Sequence, residues 1–145
     1  MNKYATYSLL LLTFLIYGCS SFSMDESAKG LIDNFYYNLK INNPNSNLQY
    51  FSDDYYAITT REKTLKLFNI IQEKVGTFEK YELTYQMVIQ STGGTKGKAG
   101  KIIRVTYIVN WSNGTTTDSF LLFQPRGNSL YKIDGYHTEI KLNLQ

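Results

Sequence analysis

The chain has 145 residues, with 15 Lys and Arg against 12 Asp and Glu, one His and one Cys. A formal charge of +3 is too balanced to build a nucleic-acid surface or to draw the protein strongly to anionic lipid. One cysteine cannot make an internal disulfide, and one histidine excludes a metal site of several imidazoles. The length suits one domain with a real core. Thirteen Tyr supply rings that fit core edges, pocket linings and interfaces alike.

In chain order, the first eight residues are polar with Lys3 as the only charge, and an apolar run from Leu9 to Tyr17 follows. That run is short of the roughly 20 residues a membrane-spanning helix needs, and has the length of a signal-peptide core. It ends on Gly18 and Cys19. Ile16-Tyr17-Gly18-Cys19 resembles a bacterial lipobox, with Tyr17 bulkier than the small residue common there. The resemblance, which covers residues 1–19, implies cleavage between Gly18 and Cys19 and acylation of Cys19. Unprocessed, Cys19 would be an unpaired thiol in an oxidising compartment. Each buried methylene adds about 0.8 kcal/mol, so the three acyl chains the resemblance implies would hold firmly. Ser20 replaces the Asp that commonly retains such proteins in the inner membrane. The expected place is thus the cell envelope: the outer membrane facing the periplasm in a Gram-negative cell, the outer face of the plasma membrane in a Gram-positive one. Residues 1–18 read as the signal peptide, 19–23 as a lipidated tether and 24–145 as one domain.

In that domain Ser23-Met24-Asp25-Glu26 fits a capping box. It opens a helix over 24–41 with Ala28, Leu31, Ile32, Phe35 and Leu39 on one stripe, stopped before Pro44. Residues 48–56 read as a helical turn followed by an extended segment. Thr59 and Glu62 offer a second capping box for a helix reaching Val75, and Gly76 suits the position after it. From Phe78 the period becomes two. Tyr81, Leu83, Tyr85, Met87 and Ile89 share one predicted face, opposite Lys80, Glu82, Thr84 and Gln86. A strand over 101–111 carries Ile103, Val105, Tyr107, Val109 and Trp111 on its more apolar face. Asn113-Gly114 predicts a primed hairpin turn into a strand over 116–124. The last strand, over 129–142, is interrupted by Gly135, which predicts a bulge.

Two N-terminal helices and four antiparallel strands make an α+β fold. In element order and lengths, residues 24–142 are similar to the NTF2-like, or cystatin-like, proteins. The resemblance implies a curved four-stranded sheet wrapping a helix into a cone. That family includes enzymes, ligand binders and dimerisation modules, so fold alone does not choose.

Candidate chemistry is sparse. The Gly- and Lys-rich stretch 91–101 fails as a phosphate loop, because Thr95 and Ile102 stand where the motif needs Gly and Ser or Thr, and it enters a strand. It reads as a solvated hairpin loop. Enzymes of the NTF2-like family often use a His–Asp pair or a Tyr within the cone, which singles out His137 and Asp134. A regular strand puts those two on opposite faces unless the Gly135 bulge reverses the alternation. Asp53 and Asp54 read as solvated or capping carboxylates. Asn110 and Asn113 match glycosylation acceptors, the second better explained by turn geometry. With Cys19 at the anchor, no Ser–His–Asp or Cys–His arrangement is available.

The expectation is a non-enzymatic binding or assembly module with no cofactor. It has a membrane anchor through its N-terminal lipid and a speculative pocket of Tyr36, Tyr55, Tyr107 and His137 that could hold a small ligand. Its sheet face, with Ile102, Thr106 and Ile108, is expected to pair with a second copy or an envelope protein. The alternative is a small hydrolase or isomerase using His137 with a Tyr or Asp.

Overall fold

The structure, a computed structural model, describes residues 24–93 and 97–143. Cys19, Gly18 and Ser23, on which the anchor and the first capping box were read, lie outside them. Among the described residues no helix is long and apolar enough to cross a membrane.

Helix α1 spans Glu26–Lys40 and is capped by Asp25, whose carboxylate accepts from the Ser27 amide at 3.0 Å. Its stripe buries Ala28, Leu31, Ile32, Phe35, Tyr36 and Leu39. Asn42 takes a positive φ of 56°, and Pro44 then opens a 3-10 turn, Pro44–Tyr50. Asn47 in that turn is fully buried yet satisfied, donating to the Phe35 carbonyl and accepting from Asn38.

The extended segment expected next is a single residue. Phe51 makes one parallel bridge to Ile133, and the Ser52 amide donates to the Ile133 carbonyl at 3.0 Å. Ser52 then caps a third, unexpected helix, α2 (Asp53–Ile58), by accepting from the Tyr55 amide. Asp53 and Asp54 sit in its first turn, where acids favour the helix dipole. Helix α3 runs Arg61–Val75; its cap is Thr60, accepting from the Lys63 amide, one residue later than the box at Thr59 predicts. It buries Phe68, Ile71 and Val75. Gly76 (φ +84°) follows, as expected of a position L side chains resist.

Four strands, β1 (Phe78–Thr92), β2 (Ala99–Trp111), β3 (Gly114–Pro125) and β4 (Lys132–Leu142), form an open antiparallel meander in the order β1-β2-β3-β4. The β2–β3 turn departs from expectation. Trp111 pairs with Gly114, so the loop is Ser112-Asn113, and neither residue has positive φ. The tip is held from outside: the Ser112 amide donates to the Thr77 carbonyl and the Asn113 amide to the Val75 carbonyl, both at 2.9 Å. Those bonds remove the need for a primed turn. Gly114 serves close approach instead, since a Cβ there would lie 2.5 Å from the Lys141 carbonyl.

Three register shifts decide which side chains face the helices; the first passes Glu79, so that Phe78 and Tyr81 both pair with inward residues. In β1 the register slips between Leu83 and Tyr85, and Thr84, the extra residue, donates its hydroxyl to the Thr106 carbonyl. Tyr81 pairs with inward Val109, whereas Tyr85, Met87 and Ile89 pair with outward Thr106, Arg104 and Ile102. The single apolar face predicted for β1 is therefore split between both faces of the sheet. In β4 the predicted bulge is present: Leu121 pairs with Gly135 and Leu122 with Ile133, leaving Asp134 as the extra residue. Bulges re-aim side chains in this way.

The core lies between the inner face of the sheet and α1 and α3. Phe35 is its hub, meeting the rings of Tyr36, Phe68 and Phe120 edge-on at 5.1–5.5 Å between centroids. Such pairs add about 0.5–1.5 kcal/mol each beyond the area they bury.

Candidate functional site

The predicted pocket residues separate into three places. Tyr36 and Tyr107 are together, ring centroids 5.7 Å apart, but both are buried in the core beside Phe120. Tyr55 packs on Phe51 at 4.4 Å, at another end of the cluster. His137 does not join them. It pairs across the ladder with Ser119 on the outer face, its side chain 70% exposed, and its Nε2 lies 3.4 Å from Glu139. The bulge does not bring it to Asp134. Asp134 lines a cleft at one end of the sheet, while His137 borders a shallow outer depression of about 290 Å³.

Ser119, His137 and Glu139 share that outer face in a line, which superficially looks like a triad. The Ser119 hydroxyl, however, hydrogen-bonds Thr106 Oγ1 at 3.0 Å rather than the imidazole. Nucleophilic activation requires the base within reach of the hydroxyl.

Sequence reasoning missed the buried carboxyl at the centre of the inner face. Asp118 is 1% exposed. Thr138 Oγ1 donates to its Oδ1 at 2.7 Å and the Tyr36 hydroxyl to its Oδ2 at 3.2 Å, and the hydroxyls of Thr116 and Tyr136 also favour its charged form. Burial raises its pKa, and these donors oppose the rise without cancelling it. Burial, then the Asp118 charge, pushes the Tyr36 phenol well up. The register gave a signal: Asp118 opposes inward Tyr107 and lies between inward Thr116 and Phe120. A second phenol–carboxylate pair closes the sheet onto α1, the Tyr81 hydroxyl donating to Asp33 Oδ1 at 2.5 Å while its ring stacks on Tyr36 at 4.3 Å. Burial works to raise the Asp33 pKa, but the hydrogen bonds from Lys29 and Tyr81 win and hold it low. Asp118 is thus part of a polar network within the core, whereas the Asp33–Tyr81 pair lies at its edge, on an open depression of about 320 Å³.

Open space lies at the end of the sheet where β2 begins and β3 ends. A cleft of about 770 Å³ is walled by Phe51, Phe123, Ala99 and Pro125. Its charged rim is mixed. Lys98 pairs with Asp54, Lys132 donates to the Gln49 carbonyl at 2.6 Å, and the Arg61 guanidinium sits 4.5 Å over the Tyr56 ring. A second cleft of about 410 Å³ adjoins it, sharing Gln49 and Lys132, and reaches Ser27 in the first turn of α1.

The outer face is the other exposed feature. Tyr85, Ile89 and Ile108 are 47%, 43% and 42% exposed, and Met87, Ile102 and Leu121 lie among them by register. Among the described residues no group of three His, Cys, Asp or Glu is placed to hold a metal ion. No protein-family profile matches the chain, and neither the curated proteins nor the solved structures contain a match.

Proposed function

We propose that this protein is a lipid-anchored envelope protein whose NTF2-like domain is a non-enzymatic assembly module, pairing with a second copy of itself through the outer face of the sheet. One observation carries the reading: the β1 bulge delivers Tyr85, Met87 and Ile89 to the outer face, beside Ile102 and Ile108 of β2. A solvated face gains nothing from such a strip, and contiguous exposed apolar patches mark interaction sites. The extent fits. Four strands about 4.8 Å apart and about eleven residues long present roughly 700 Å², close to the roughly 800 Å² per partner of a standard stable interface. The rim carries both signs, Lys80 beside Glu82 on β1 and Glu139 on β4, so it complements itself across a two-fold axis. The lipobox residues around Cys19 support the anchor, and the helix lying on the inner face of the sheet supports the cone.

Ile108→Cys in cells tests this, because acylation of Cys19 leaves the new thiol as the only free one. A bifunctional maleimide is expected to give a band of twice the protomer mass, lost when Ile89→Lys is added. Adducts to a different protein alone, or no adduct, sink the self-pairing. Cys19→Ser is expected to move the protein out of the membrane fraction; continued membrane retention would remove the anchor from the reading.

A further inference from the structure

The cleft of about 770 Å³ is unlike the core network, which is filled, and the outer face, which is flat. Its size falls within the range of small-molecule sites, which combine apolar walls with a few polar groups that orient the ligand. Here the walls are the Phe51 and Phe123 rings. The polar groups divide into satisfied and unsatisfied sets.

Every cation on the rim is already engaged: Lys98 by Asp54, Lys132 by a carbonyl, Arg61 by the Tyr56 ring and the Leu48 carbonyl. Two carboxylates are not. Asp53 makes no ion pair or side-chain hydrogen bond among the described residues. Asp134 Oδ1 is buried with no hydrogen-bond partner among the described residues. A buried carboxylate oxygen without a donor is rare, and its neighbourhood is expected to supply one. Asp134 is in this position because it is the extra residue of the β4 bulge, turned from the regular alternation toward the cleft it lines.

We infer that this cleft binds a primary ammonium group carried on an apolar body, the ammonium between Asp53 and Asp134 and the body against Phe51 and Phe123. An ammonium brings three donors and a charge, which offsets both carboxylates that line the cleft; Asp134 is met from its cleft side, because Oδ1 itself is closed to a water-sized probe. The proposal does not rest on the self-pairing of the outer face, although the cleft borders that face, since its wall Phe123 pairs across the ladder with Ile102.

Two sources carry this chemistry: a free amine, or the amino headgroup of a bilayer lipid. The second has a geometric basis that rests on the anchor reading. The adjoining cleft reaches Ser27, the Asp25 carboxylate lies 3.2 Å from Lys101 Nζ, and Ser27 Oγ donates to the Ser129 carbonyl. The start of α1 is thereby fixed at the cleft end of the sheet. The five residues from Cys19 to Ser23 span at most about 18 Å, so an anchored domain would hold this end toward the membrane.

The test is an amide NMR titration of the full chain in non-ionic detergent with 2-phenylethylamine, against 2-phenylethanol as its neutral counterpart. The amine is expected to shift the amides of Ser52, Ala99 and Asp134 saturably, with affinity at least tenfold above that of the alcohol. Asp134→Asn and, separately, Asp53→Asn are each expected to weaken the amine at least fivefold and leave the alcohol unchanged. Asp53→Asn alters an exposed residue, so it remains informative if the bulge variant folds poorly. Equal binding of amine and alcohol, no shift, or shifts indifferent to both substitutions would overturn the site. Doping the micelles with phosphatidylethanolamine then distinguishes the sources. Displacement of the amine by that lipid, and not by phosphatidylglycerol, assigns the headgroup; no displacement assigns a free amine.

Discussion

The two faces of the sheet put their large apolar side chains to opposite ends. On the inner face Ile103, Val105, Tyr107, Val109 and Trp111 are all buried under the helices. On the outer face Tyr85, Ile89 and Ile108 remain more than two-fifths exposed. The inner face even shelters a carboxyl, because four hydroxyls converge on Asp118, whereas the outer face has apolar groups with nothing over them in the single chain. An inner residue is thus read by what it does to stability, and an outer one by what it does to association.

Phe35→Ala should produce the largest effect, removing the ring that meets four other aromatic residues edge-on. The expected loss is about 3–5 kcal/mol, measured by urea denaturation, and a loss below about 1 kcal/mol would show that the inner face is not the core. Deleting Thr84 should restore regular alternation in β1 and turn Tyr85, Met87 and Ile89 inward. Stability is expected to fall by about 1–3 kcal/mol through overpacking, and the Ile108→Cys cross-link to vanish.

Asp118→Asn sharpens the inner side. The folded pKa of Asp118 is raised, so the native state favours the protonated form. Its contribution is therefore full below the ordinary carboxylate range and is lost as pH rises through the folded value. Thermal melts of the wild type should show that loss on moving from pH 4 to pH 8, and Asp118→Asn should flatten it. An unchanged pH profile would mean that Asp118 is not the group responsible. The smallest stability effect belongs to Ile89→Lys, within about 0.5 kcal/mol, although it should abolish self-association.

Much of this contrast was legible in the sequence, and its gaps have local causes. Strand β2 alternates without interruption, so its period named the inner face correctly. Strand β1 keeps an equally regular pattern from Tyr81 to Ile89, but Thr84 adds a residue to the ladder and the pattern crosses to the other face; periodicity counts residues and cannot see pairing. Asn113-Gly114 announced the hairpin, which is present, but not its turn geometry, because the Ser112 and Asn113 amides donate to the Thr77 and Val75 carbonyls. Gly135 did announce its bulge, yet which residue the bulge would turn, and toward what, depended on Phe51 and α2 packing at the β4 edge. His137 failed as a pocket residue for the same reason: the bulge absorbs Asp134 and leaves His137 facing out.

The meander has a kinetic consequence. Each strand pairs only with its neighbour in the chain, so the sheet closes through short loops, the cheapest contacts in chain entropy. Helix α1 is different. Phe35 meets Phe120 and Tyr136, and Ser27 meets Ser129, all made by the last third of the chain. The first of the described helices is therefore expected to be the last to find its place, waiting for β4. A pulse-labelling hydrogen-exchange experiment should record the β2–β3 hairpin protected early and α1 protected only with the final phase.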